Sequence, residues 1–144
     1  MATTEAPRAA DGPESVLDAS ALLAFIQDER GASVVAEALA ATAAISVVNW
    51  AEVLSKVAER GRDADELATG LHNHGFVGEL LTIEAMTEAD CLTVAWMRPV
   101  TRSAGLSLAD RTCLALARRL ALPVLTADRS WSDLEVGVDV RLIR

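Results

Sequence analysis

The chain is short of aromatics, at 3% of 144 residues, has two cysteines, and carries a single lysine, Lys56. With so few aromatics and an excess of alanine and leucine, helices packed on a small sheet are expected rather than a β-sandwich. Cys91 and Cys113 lack a C-x-x-C spacing, and each falls in a helical apolar pattern. They read as reduced core thiols, which excludes a disulfide framework and a thiolate metal centre. No stretch reaches 18 uninterrupted apolar residues, and the N-terminus lacks the charged-then-apolar order of an export signal. No membrane role is therefore expected, and a cytoplasmic location is. Net positive charge is missing too: at −8 the chain has no overall basic footprint for nucleic acid, although a local one stays open. The basic residues are almost all arginine. Arg98, Arg102, Arg111, Arg118, Arg119 and Arg129 lie within or near one segment, where they suit either phosphate contacts or a solvated helix face.

What the sequence does have is apolar content, 51%, over a length of about one domain, enough for one sizeable core. Residues 1–14 are Ala-, Thr-, Pro- and Gly-containing without a period and read as a disordered leader, leaving 15–144 as a single domain. Strands are expected at Ser15–Leu17, Ala44–Val48, Leu80–Ile83, Val124–Thr126 and, at an edge, Val138–Ile143. Helices fall between them. Ser20, Asn49, Asp63, Thr87 and Ser107 are expected as their caps, and Gly31, Gly61 and Gly75 as stops. This alternation implies a mainly parallel sheet covered by helices on both faces. His72 and His74 point to different sides of their helix and read as exposed helix-end residues rather than metal ligands.

One run organises the rest, from Gly105 to Asp128. At about 100° per residue Asp110, Cys113, Leu114, Ala117 and Ala121 share one side of a helix, which puts a carboxylate on the stripe expected to face the core. Burying an ionised carboxylate unpaired costs several kcal/mol, and no base shares that stripe. Val124-Leu125-Thr126 then delivers Asp128 just past a strand end, where open α/β sheets place their ligands. Asp18 follows the first strand in the same way. Glu52 follows the second, in what is expected to be the first turn of a helix, where the helix dipole alone would also favour it. In a parallel sheet the C-terminal strand ends share one edge, so Asp18, Glu52, Asp110 and Asp128 become neighbours. Two carboxylates about 5 Å apart repel by roughly 3 kcal/mol at an effective dielectric of 20, or about two pKa units. A divalent cation relieves this, and all-oxygen donors select Mg2+ or Mn2+ over zinc. The chemistry natural to such a site is metal-assisted phosphodiester hydrolysis.

Val16-Leu-Asp18-Ala-Ser20-Ala-Leu, Val48-Asn-Trp-Ala-Glu52-Val, Gly105-Leu-Ser-Leu-Ala-Asp110-Arg and Leu125-Thr126-Ala-Asp128-Arg-Ser-Trp131 resemble, in order, the four acidic blocks of PIN-domain ribonucleases. Among these the chain is most similar to the VapC toxins of type II toxin–antitoxin (VapBC) pairs. The resemblance implies a three-layer α/β/α sandwich with a central, mainly parallel sheet of four to five strands. It also implies Mg2+- or Mn2+-dependent endonucleolytic cleavage of single-stranded or looped RNA, with one or two ions, inhibiting translation and growth. Metal ligation carries over to Asp18 and Asp110, with Glu52 and Asp128 completing the catalytic pocket. Ser20 and Thr126 match hydroxyl positions that orient these acids, Asn49 matches a place on the rim, and Asp133 matches one less closely and also reads as a solvated turn acid. A VapB-like antitoxin that occludes the acidic groove, and a homodimer, are the implied partners. The alternatives are a PIN nuclease of RNA processing or DNA cleavage, and a non-catalytic, receiver-like Mg2+-binding module.

Overall fold

The computed structural model describes residues 12–144. Most of the expected leader, residues 1–11, lies outside these. At its end the Glu14 N–H donates to the Thr42 carbonyl at 3.0 Å, and the Thr42 hydroxyl donates to the Gly12 carbonyl. The elements in order are β1 (Ser15–Leu17), α1 (Ala19–Ile26), α2 (Ala32–Ala40), β2 (Ala43–Ser46), α3 (Val47–Glu59) and α4 (Ala64–Asn73). After them come β3 (Leu81–Glu84), α5 (Glu88–Val100), α6 (Leu108–Leu120), β4 (Val124–Thr126) and β5 (Val140–Leu142).

All five strands are parallel, in the order β3-β2-β1-β4-β5. The period-2 alternation of each strand divides the core into two layers. Leu17, Ile45 and Leu125 point to one face and join Leu22, Val35, Leu39 and Val53 of α1, α2 and α3. Val16, Ala44 and Val124 point to the other, against Met97 of α5, Leu114 of α6 and Trp131. At about 1.5–3 kcal/mol for each large side chain fully buried, these two layers are the main stabilising term of the fold. The expected three-layer α/β/α sandwich is present, with the sheet parallel throughout.

The order of strands also fixes where a ligand would sit. The chain builds β1, β2 and β3 outward in one direction, then returns to place β4 on the other side of β1. The strand order therefore reverses between β1 and β4, and the crevice at that switch point opens at the strands' C-terminal ends. Gly31 closes the fold nearby. Its φ is +96°, and a Cβ there would stand 2.9 Å from the Ile143 side chain and carbonyl, so the approach needs glycine.

Four details differ from the sequence expectations. The first helix is capped by Asp18, whose carboxylate accepts from the Ala21 N–H at 2.8 Å, and Ser20 lies inside it. That helix ends at Ile26, and Gly31 instead begins α2. The second strand stops at Ser46, whose hydroxyl accepts from the Val48 N–H, so the helix starts at Val47 and Asn49 is within its first turn. A serine cap there outweighs the β-preference of two valines. Lastly, Cys91 is exposed, because α5 buries the side that carries Asp90, Val94 and Met97; Cys113 is buried as expected.

Candidate active site

Asp18 leaves the end of β1 at the switch point and is 5% exposed. Its Oδ1 accepts from Ser20 Oγ at 2.7 Å and from the Ala21 N–H, and its Oδ2 accepts from Thr126 Oγ1. Thr126, the last residue of β4, also accepts from the Asp128 N–H at 3.0 Å. Ser20 Oγ accepts from the Ala127 N–H at 2.9 Å. Two hydroxyls thus tie the ends of the two central strands to one carboxylate, which holds Asp18 in a single orientation. Burial nevertheless raises the Asp18 pKa to about 6, against these hydrogen bonds and with a smaller push from the charge of Asp110.

Asp110 sits in the first turn of α6, half-buried, at the head of a stripe whose Cys113, Leu114 and Ala117 are buried. Ala121 falls just beyond the helix as its cap. Ser107 and Asp110 form a reciprocal capping box, with the Ser107 N–H donating to Asp110 Oδ2 at 2.9 Å. Glu52 lies in the second turn of α3, because that helix begins at Val47. The helix dipole acts within the first turn and therefore does not account for Glu52. Its Oε1 accepts from Asn49 Nδ2 at 2.9 Å, and the same amide donates to the Ala109 carbonyl at 3.2 Å. Asn49, 1% exposed, joins α3 to the first turn of α6. Asp128 is at the exposed rim, its Oδ1 accepting from both the N–H and the hydroxyl of Ser130.

All four acids line one cleft of about 190 Å³ together with Ala19, Ser20, Leu23 and Lys56. Burial pushes the Cys113 thiol well above its ordinary pKa, and the charges of Asp18, Asp110 and Glu52 add to the push. Among the described residues no Lys, Arg or His forms a salt bridge with any of the four. An all-oxygen set with excess negative charge and one desolvated carboxylate fits a hard divalent cation. As the side chains stand, no three His, Cys, Asp or Glu of the described residues converge closely enough to hold one.

Other candidates fall outside the cleft. Asp133 lines a separate groove with Val100, Ser103 and Leu134. His72 and His74 are exposed, each ring bonded to the carbonyl four residues back, as expected. Another groove, of about 730 Å³ beside α4, has His74, Arg62 and Glu66 in its wall but none of the four acids. Three of the clustered arginines are engaged elsewhere: Arg111 is buried on the Val94 carbonyl, Arg118 lies 4.7 Å over the Trp96 ring, and Arg119 grips Asp90 at 2.9 and 3.1 Å. Lys56 was not among the residues expected at the site. Its spacing from Glu52, four residues along one helix, is the signal that points to it.

A parallel α/β/α sandwich with a carboxylate-lined cleft at its switch point defines the class. A PIN domain family model matches residues 15–136, and the chain belongs to that family, whose nucleases are hydrolases acting on nucleic acids. This displaces the receiver-like alternative. Among curated proteins none matches the chain. Among solved structures, a toxin–antitoxin complex from Klebsiella pneumoniae is similar at 19% identity and a TM-score of 0.66, covering 90% of this chain and 98% of that one. FitAcB from Neisseria gonorrhoeae is 20% identical with a TM-score of 0.66, covering 88% and 95%. VapC20 from Mycobacterium tuberculosis, a Sarcin-Ricin loop cleaving toxin, is 12% identical with a TM-score of 0.63, covering 87% and 98%. At these identities the likeness is one of fold. Among the described residues no helix is long and apolar enough to cross a membrane.

Proposed function

We propose that the protein is a divalent-metal-dependent endoribonuclease and the toxin of a toxin–antitoxin pair, hydrolysing phosphodiester bonds in single-stranded or looped RNA. The observation that carries this is the single cleft shared by Asp18, Glu52, Asp110 and Asp128, four acids from distant parts of the chain, none of them salt-bridged to another described residue. Asp18 and Asp110 would hold the ion, Mg2+ or Mn2+, with Glu52 and Asp128 completing the set. When bound, it supplies a Lewis acid and a water of lowered pKa. The protein's own groups do the rest. Thr126 and Ser20 keep the Asp18 carboxylate aimed, Asn49 bonds Glu52, and Asp128 at the rim would accept the proton of the attacking water. In the hydrolysis an O–P bond to water forms as the P–O bond to the leaving sugar oxygen breaks, and that oxygen takes up a proton from solvent.

Two partner assignments belong to the same proposal. A VapB-like antitoxin laying a basic side chain among the acids would supply counter-charge and block the cleft. A homodimer is supported by α5, where Leu92, Trp96 and Val100 recur every four residues and are 75%, 47% and 51% exposed.

The test is cleavage of single-stranded RNA by the purified chain with Mg2+ or Mn2+. Asp18→Asn and Asp110→Asn are each expected to reduce the rate by about 100-fold or more while circular dichroism stays native. Full cleavage by both folded variants would refute the proposal.

A further inference from the structure

We infer that Lys56 is the contact that draws a phosphodiester of the substrate strand to the cleft, an inference that rests on the nucleolytic function proposed above. The difficulty it answers is electrostatic: a polyanion must approach four carboxylates on a chain of net charge −8. Of the eight residues lining the cleft, Lys56 alone is basic, and it is the only lysine in the sequence.

Its placement suits that role. Lys56 follows Glu52 by one turn of α3, so the two side chains share a helix face. Both also line a neighbouring groove of about 440 Å³ on the outer side of α3, with Val48, Ala51, Ser55 and Glu59. Lys56 and Glu52 therefore stand where cleft and groove meet, the point that a strand lying in the groove with one phosphate in the cleft would cross.

Lys56 is also uncommitted. Its nearest salt-bridge partner is Glu59 at 3.9 Å, with the two side chains 57% and 72% exposed, a pairing worth little in water. Arg111, Arg118 and Arg119 are held in structural contacts away from the cleft. A flexible stem carrying a compact charge can follow a phosphate without a fixed fork geometry. The rival role is purely local, since Lys56 lies in the last turn of α3, where the helix dipole favours a cation. That role affects stability and leaves RNA affinity untouched.

The experiment uses the full chain and a labelled single-stranded RNA, with binding measured in the Asp18→Asn protein with and without Lys56→Gln from 50 to 200 mM KCl. Losing one phosphate contact is expected to flatten the plot of log affinity against log salt by about 0.7, so that about 2.6-fold less affinity is lost over that range. In the protein retaining Asp18, Lys56→Gln should raise KM about fivefold at 50 mM KCl with kcat changed by less than about twofold, as expected of a contact made equally before and during reaction. Lys56→Arg should restore both. Unchanged slope and KM in Lys56→Gln, or the same losses produced by Glu59→Gln, would overturn the inference while leaving the nuclease intact. A folded wild-type chain that neither binds nor cleaves RNA would remove the nucleolytic function and this inference together.

Discussion

Asp18 carries an unfavourable charge in the folded protein, and the sign of the effect follows from its pKa. Its carboxyl rises from 3.8 to about 6 on folding, chiefly through burial, so between those values the folded state binds more protons than the unfolded one. In chelator the stabilising contribution is complete below about pH 4 and is lost as pH rises through about 6, a decline of roughly 3 kcal/mol. Asp18→Asn keeps an oxygen to cap α1 and carries no charge. It should flatten that decline and, at pH 7, match or exceed the wild type by up to about 3 kcal/mol in urea unfolding. A loss of several kcal/mol would contradict this. The position of Asp18 after a strand was legible in the chain. That Asp18 would cap the helix in place of Ser20 was not, because either residue type can cap: Asp18 serves the Ala21 N–H of a helix beginning at Ala19, whereas Ser20 would serve a helix beginning two residues later, and local sequence does not choose between the two starts.

At the scale of elements, the start of α3 determines how Glu52 reaches the cleft. Val47 and Val48 look like more strand, and local preference alone hides the Ser46 cap, which is why Asn49 was expected one step outside the helix rather than inside it. The shift places Asn49 against α6, with its amide shared between Glu52 and the Ala109 carbonyl. Asn49→Ala removes both bonds at a position that water does not reach. It should cost about 1–3 kcal/mol in denaturant unfolding and lower RNA cleavage by freeing Glu52. An unchanged midpoint would show that this junction contributes nothing. Cys91 gives a related lesson. The 3.6-residue period of α5 was visible, but apolar side chains lie on both sides of that helix, so the period does not identify the buried one. The Asp90–Arg119 pair, which no pattern predicts, marks the side facing α6.

For the molecule as a whole, the alternation of strands and helices implied a parallel sheet, and the strand ends implied a common edge for the acids. The reversal of strand order that opens the crevice depends on where β4 docks, a tertiary choice with no local signal. The acid-lined cleft also sets an expectation for the intact chain. Mg2+ or Mn2+ should raise its thermal midpoint in a concentration-dependent way, by about 2.7 kcal/mol of stability at one hundred times the dissociation constant. The shift should shrink in Asp18→Asn and Asp110→Asn, and its absence at every concentration in calorimetry would count against metal binding.

β1 is the innermost strand, flanked by β2 and β4, whereas Lys56 rides on an exposed helix turn. The floor of the cleft is thus anchored in the most protected backbone and its lip in the most replaceable. A scaffold divided in this way can acquire a new preference among nucleic acids by exchanging a few surface side chains, while its hydrolytic apparatus passes on unaltered.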